Sequence, residues 1–106
     1  ELRLVETAIV EAFRDLLDSL HQGVEGGGSL LDSTTVLFGS NLGNANAHVA
    51  YDLPILVAGG GFSHGTHFDA GGTENAPLSN LFVTLLQSMQ VDTEAFGQST
   101  GTLTWN

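Results

Sequence analysis

Apolar residues recur along this chain with a helical period in two places. Residues 2–21 carry them at steps of three and four, with acidic side chains on the opposite side, and Gly23 follows the last turn. A second stretch of this kind begins near Asn75 and Pro77 and continues to Val91. The sequence therefore predicts two main helices. Their apolar positions are Val5, Ile9, Ala12, Phe13, Leu16, Leu17 and Leu20 in the first, and Leu78, Leu81, Phe82, Leu85, Leu86 and Met89 in the second.

Two shorter apolar segments lie between these helices and lack the alternation of a half-exposed strand. They occupy residues 34–41 and 52–61, and each ends in a polar or glycine-rich turn. Continuous apolar runs are typical of parallel strands that helices cover on both faces. The residues from Asn41 to Tyr51 are close to the shortest connection between parallel neighbours, which normally need a crossover of roughly ten or more residues. The predicted fold class is α/β, with two or more parallel strands and two main helices.

Glycine-rich segments separate the predicted elements. Residues 26–29 are three glycines and a serine, and they are predicted to be too flexible for any element. Residues 59–72 are predicted to form a loop or an irregular hairpin. The tail, residues 92–106, is rich in turn-forming residues. Its expected anchors are Phe96, Leu103 and Trp105.

The charge balance limits the classes of molecule that the chain can bind. Twelve acidic residues stand against two arginines and no lysine, which gives a formal net charge of -10. A surface of this sign repels phosphate backbones and anionic lipid, so binding to nucleic acid or to a membrane surface is disfavoured. No apolar stretch of the sequence approaches the roughly 18 residues of a membrane span. Because cysteine is absent, disulfides and thiolate metal sites are excluded.

The predicted strands bring two polar segments to one edge of the sheet. In open α/β sheets, ligands bind beyond the carboxyl ends of the strands. Ser40 and Asn41 follow the first strand, and Gly59, Gly60 and Gly61 end the second. These five residues are the predicted ligand-binding positions.

Each of these segments also has an alternative interpretation. Ser40 stands at a strand-to-loop position that resembles that of a nucleophile, but the G-x-S-x-G elbow is absent, which favours a hydroxyl that bonds its own loop. The glycine run does not match G-x-G-x-x-G, and no predicted helix opens directly behind it. This favours a tight turn close to another element over a phosphate cradle.

Four side chains near the second predicted strand have metal-ligand chemistry. His64, His67 and Asp69 form a His-x-x-His-x-Asp cluster, and His48 lies in the preceding loop. Imidazole and carboxylate together suit zinc, manganese or iron. The spacing differs from that of helix-borne zinc motifs. The alternative is that the histidines cap turns and hydrogen-bond the backbone.

At these same segments the sequence resembles the C-terminal part of the HXXSHH family, an uncharacterised bacterial family of the alkaline phosphatase and sulfatase superfamily. The resemblance covers most of the chain in consistent order. The matching stretches are LDSTTVLFGS at residues 31–40, His48, DLPILVAGG at residues 52–60, His67, APLSNL at residues 76–81, TLL at residues 84–86 and FGQSTG at residues 96–101.

The resemblance implies a fragment of an α/β/α sandwich, with residues 1–106 forming a single domain at the C-terminus of a longer, secreted or periplasmic protein. Metal-dependent members of the superfamily carry an Asp-His-Gly metal-binding turn where this chain has Asn41-Leu42-Gly43. Their nucleophile lies upstream of the matching region. The histidine-rich segment of the family is reduced here to His48.

Two functional hypotheses follow. The first is a non-catalytic portion of the fold, without a cofactor of its own. The second is a portion that contributes histidine ligands to a divalent-metal site of a phosphate or sulfate ester hydrolase, completed by upstream sequence. In either case we expect a homo-oligomer, because exposed apolar surface is normally removed by self-association. The expected contacts are the sheet edge or the stripe of Val5, Ile9, Phe13 and Leu17.

Overall fold

The computed structural model describes residues 1–71 and 76–105. Within these ranges the chain is mixed α/β, with two α-helices, a short 3-10 helix and two antiparallel two-stranded sheets. In chain order the elements are α1 (Leu2–Gln22), β1 (Val24–Glu25), β2 (Gly28–Ser29), the 3-10 helix (Leu30–Ser33), β3 (Thr35–Gly39), β4 (Ile55–Gly59) and α2 (Leu78–Ser88). The chain divides into two compact units. They are Glu1–Gly39 with Ile55–Phe62, and Ser40–Pro54 with Ser63–Asn106.

Helix α1 confirms the predicted first helix almost residue for residue. Its last turn closes at Gly23, whose amide donates to the Ser19 carbonyl at 3.1 Å, and the extended φ of Gly23 turns the chain away from the helix. Phe13, which is half-buried, stacks on Phe38 of β3 with ring centroids 4.9 Å apart. Every residue from Leu2 to Ala12 is exposed. The N-terminal half of α1 thus holds its apolar residues in water.

The glycine run after α1 is ordered as a hairpin, so the prediction that residues 26–29 belong to no element is wrong. β1 and β2 pair antiparallel, with Val24 opposite Ser29. Gly26 and Gly27 are the two residues of the turn, and both have positive φ, at 56° and 88°. A two-residue loop with positive φ at both positions is a type I′ turn, which glycine adopts without steric cost.

Strands β3 and β4 occupy the two predicted apolar segments, but the predicted parallel direction is wrong for this pair. They run antiparallel, with Leu37 opposite Val57 and Gly39 opposite Ile55. The physical reason lies in residues 40–54, which fold back as a compact loop where a parallel crossover would need a helix. Every residue of β3 and β4 is half-buried or exposed, so the expected burial on both faces is not reached within this chain.

Helix α2 provides the buried core of the second unit. Leu81, Val83 and Leu85 are buried, and the Phe82 ring meets the Phe96 ring edge-on at 5.8 Å. The apolar spacing that predicted this helix is therefore confirmed at its centre. At its start, Pro77 occupies the N-cap position, whereas the predicted capping residue Asn75 lies outside the described residues. The predicted apolar position Met89 ends the helix and is 58% exposed.

Candidate functional site

The loop of residues 40–54 carries three of the predicted site residues, and backbone hydrogen bonds hold it closed. The Ser40 amide donates to the Pro54 carbonyl at 3.3 Å, which joins the two ends of the loop. Further along, the Gly43 amide donates to the Val49 carbonyl at 2.9 Å, and the Val49 amide donates to the Asn44 carbonyl at 3.3 Å. The loop is therefore a defined structure rather than a slack connection.

The Asn44 side chain and Gly43 shape the tip of this loop. The Asn44 Oδ1 atom accepts from the amides of Asn46 and Ala47 at 3.0 and 3.2 Å. A Cβ atom on Gly43 would overlap the carbonyl oxygen of Tyr51, so glycine is required where the two limbs of the loop pass each other. Asparagine is suited to this role because its side chain mimics a backbone turn.

His48 lies exposed at this tip with a left-handed backbone. Its φ is 50°, and Asp52 in the same loop has a φ of 52°. For residues with a Cβ this conformation costs roughly 1–2 kcal/mol. The hydrogen bonds of the surrounding loop therefore stabilise His48 in a conformation that is unfavourable for a residue with a Cβ.

The Ser40 hydroxyl bonds its own loop, as the alternative to a nucleophile role predicted. It accepts from the Leu42 amide at 3.1 Å and donates to the Leu42 carbonyl at 2.9 Å. Both bonds are local, two residues along the chain, and they close a small turn at the end of β3. Asn41 lies exposed within this turn.

Gly59, Gly60 and Gly61 form a tight turn, with φ values of 74°, 66° and 75°. The turn packs against the chain that leads into β3. A Cβ on Gly59 would overlap the Thr34 carbonyl oxygen, and the Gly60 amide donates to the Leu31 carbonyl at 3.0 Å. This is the geometry of close backbone approach that the alternative interpretation of the glycine run predicted. Ser40 and Asn41 lie in the other compact unit.

The predicted metal ligands lie in irregular, exposed segments. His64, His67 and Asp69 are all exposed, and the Asp69 Oδ1 atom accepts from the Gly71 amide at 2.8 Å, so this carboxylate closes its own turn. Across residues 1–71 and 76–105, no three His, Asp or Glu side chains are grouped in a way that could hold a metal ion. The ligand set of His48, His64, His67 and Asp69 stays a prediction.

A polar stripe on α2, which the sequence analysis did not identify, binds the tail. Asn80 is buried, and its side chain bonds Thr100 twice, with the Thr100 amide 2.8 Å from Oδ1 and the Thr100 hydroxyl 3.2 Å from Nδ2. The Thr84 hydroxyl bonds both the amide and the carbonyl of Leu103. Gln87 Nε2 donates to the Thr93 carbonyl at 2.9 Å.

The spacing of these three side chains is the signal that could have revealed the stripe. Asn80, Thr84 and Gln87 recur at steps of four and three, so they share one face of a helix that is otherwise largely apolar. A polar stripe on such a helix must be satisfied by hydrogen bonds where it is covered. The neighbouring tail supplies most of these partners through its backbone groups.

Comparison with known proteins returns no match: no protein-family model, no curated protein and no solved structure matches the chain. Among the described residues, neither helix has the length and apolar character needed to cross a membrane.

Proposed function

We propose that this chain is a non-catalytic C-terminal portion of an alkaline phosphatase/sulfatase-like protein of the HXXSHH family. The observation that carries the proposal is the state of the turn after β3. There the sequence has Asn41-Leu42-Gly43 in place of a metal-binding Asp-His-Gly, and the Ser40 hydroxyl is held between the amide and carbonyl of Leu42. A hydroxyl in this position serves to shape the turn. This position then supplies neither a metal ligand nor an activated nucleophile.

The two strands fit a place within a larger sheet. β3 and β4 pair only with each other among the described residues, so each presents an unpaired edge. Leu37 and Leu56 are 38% and 50% exposed, although their apolar character suits a covered surface. In a longer parent protein, further strands and helices of an α/β/α sandwich would cover these edges and faces. A secreted or periplasmic location of that parent is part of the same proposal.

Self-association is the expected behaviour of the chain alone. Val5 and Ile9 are 57% and 49% exposed on the N-terminal half of α1. A homo-oligomer through this stripe or through a sheet edge would remove that surface from water. Sedimentation at micromolar concentration tests it, and a well-folded monomer of 11.1 kDa as the sole species would contradict it.

A second function is favoured by the backbone of His48. The loop of residues 40–54 holds this side chain at a left-handed φ of 50° on an exposed tip, and strained backbone of this kind clusters at functional sites. In this alternative, His48 and one or both of His64 and His67 contribute ligands to a divalent-metal site. That site would hydrolyse phosphate or sulfate esters once upstream sequence supplies the nucleophile and the carboxylates.

Hydrolysis of aryl phosphate and aryl sulfate by the isolated chain, with zinc or manganese added, separates these two functions. The non-catalytic proposal predicts rates equal to those of buffer containing the same metal. Metal-dependent turnover that disappears in the His48→Ala variant would overturn it. The same assay on the parent protein, comparing wild type with His48→Ala, tests the alternative. Loss of the parent's activity in that variant would support a ligand role for His48.

A further inference from the structure

The junction between α2 and the tail is a sharp reversal of the chain at a left-handed residue. Helix α2 ends in a Schellman motif, in which the Gln90 amide donates to the Gln87 carbonyl at 2.9 Å and the Val91 amide donates to the Leu86 carbonyl at 3.0 Å. The motif requires a left-handed residue at Gln90, whose φ is 63°. Glycine usually occupies this position because it has no Cβ. Gln90 therefore adopts a disfavoured conformation solely to reverse the chain onto its own helix.

The surface onto which the chain reverses recognises mainly backbone. The Asn80 and Thr84 side chains bond the amides of Thr100 and Leu103, and Thr84 also bonds the Leu103 carbonyl. The side chains of α2 thus bond backbone groups of the tail, as the backbone of a neighbouring strand does in a sheet. All partners of this interface lie within one chain. Because the contacts are mainly to backbone atoms, they depend on the path of the tail more than on its side chains.

We infer that the tail segment of residues 92–105 is exchangeable between copies, so that α2 of one copy binds the tail of a second in a domain-swapped dimer hinged at Gln90. In such a dimer every α2–tail contact is made again, between chains instead of within one. What changes is the hinge: an open chain releases Gln90 from its left-handed conformation. Strain in a short hinge is a condition that favours swapping. This inference is independent of the proposed function.

The chain offers a direct covalent test because it contains no cysteine. An ideal Cβ on Gly97 would lie 3.9 Å from the Cβ of Ser79, which is within the roughly 3.5–4.5 Å that a disulfide requires. The variant combining Ser79→Cys with Gly97→Cys therefore reports which α2 holds which tail. The full chain is refolded at the highest attainable concentration, and monomer and dimer are separated by size exclusion, oxidised and run on a non-reducing gel.

In the monomer we expect an intrachain disulfide and a band near 11.1 kDa. In the dimer we expect interchain disulfides and a band at about twice that mass. A dimer that yields only intrachain disulfides would overturn the inference and would locate the interface at α1 or a sheet edge. Failure to detect any dimer after refolding at high concentration would overturn it as well. The two single-cysteine variants control for random crosslinking.

A cysteine at position 97 must adopt the left-handed φ of 56° that Gly97 has, which is unfavourable for a residue with a Cβ. A second comparison therefore tests the inference without cysteines. Gln90→Gly relieves the hinge in the closed monomer, whereas Gln90→Ala retains the same conformational cost. We expect Gln90→Gly to lower the dimer association constant by about tenfold or more, because both hinges of a dimer are affected. Gln90→Ala should stay within about threefold of wild type. Equal dimer fractions in the two variants would contradict a hinge at this residue.

Discussion

The Thr84 hydroxyl oxygen lies 2.9 Å from the amide nitrogen of Leu103 and 2.6 Å from its carbonyl oxygen. One side chain of α2 thus satisfies both backbone groups of a half-buried tail residue. Asn80, one helical turn earlier, does the same for the amide and the hydroxyl of Thr100. These contacts hold the tail on its helix, and they explain why a largely apolar helix carries Asn80 and Thr84 on a covered face.

Replacing Thr84 by valine should destabilise the chain by roughly 1–3 kcal/mol, because it leaves the Leu103 amide and carbonyl without their partner. Urea unfolding followed by Trp105 fluorescence measures this free energy, since the chain's single tryptophan lies in the same tail. Thr84→Ser retains the hydroxyl and should recover most of the loss. Thr102→Val makes the same chemical change at an exposed tail position and should have little effect. Equal losses for Thr84→Val and Thr102→Val would show that the hydroxyl of Thr84 contributes nothing.

Gly43→Ala should destabilise the second unit by roughly 1–3 kcal/mol, because the added Cβ meets the carbonyl oxygens of Tyr51 and Asp52 and the loop must open to admit it. Gly101→Ala is the matched control. A Cβ at position 101 would have open space around it, so this change should be neutral or stabilising by up to about 1 kcal/mol. Thermal unfolding of both variants checks the pair. If both variants unfold at the wild-type temperature, the close approach at Gly43 is not real.

His48→Gly should be more stable than His48→Ala by about 1 kcal/mol, because only glycine escapes the cost of the left-handed backbone at this position. Both variants remove the imidazole, so their difference isolates the backbone from the side chain. Urea unfolding at neutral pH gives the comparison. Variants of equal stability would mean that His48 is not held in a strained conformation, and the structural support for a ligand role would be lost.

The two long helices could be predicted from sequence because their apolar periodicity is sustained. For α1, the spacing from Val5 to Leu20 and the glycine at position 23 define both the helix and its end. For α2, the run from Leu78 to Leu86 defines the helix, but its predicted continuation to Val91 is wrong, since the helix ends at Ser88. Periodicity reports that a helix forms and which of its faces is apolar. This information lies in neighbouring residues, so it can be read from the sequence without knowledge of the fold.

Strand direction could not be predicted in the same way. The apolar runs of β3 and β4 indicate covered surfaces, but they carry no information about direction. The length of residues 40–54 was compatible with either arrangement, and the deciding contacts, Ser40 with Pro54 and Gly43 with Val49, form only in the folded loop. The type I′ hairpin had a readable signal in Gly26-Gly27, but strands of two residues are too short to show a period.

The candidate site was only partly accessible to sequence reasoning. The local hydrogen bonds of Ser40 and the tight turn at Gly59–Gly61 were among the stated alternatives because they depend on nearby residues. The left-handed backbone of His48 could not be predicted, since it depends on how the whole loop folds. The contacts of Asn80 and Thr84 with the tail join residues 19 or 20 positions apart, and they depend on how the tail docks.

Thermal unfolding with and without zinc is the sharpest test of a non-catalytic chain, because it needs no knowledge of a substrate. We expect that the histidines of this chain do not form a metal site by themselves. Saturating zinc or manganese should therefore leave the melting temperature within about 1 °C of its metal-free value, since only a ligand that prefers the folded state stabilises it. A rise of several degrees that a chelator reverses, and that the His64→Ala/His67→Ala double variant lacks, would show that these histidines bind a metal and would refute a non-catalytic role without a metal site.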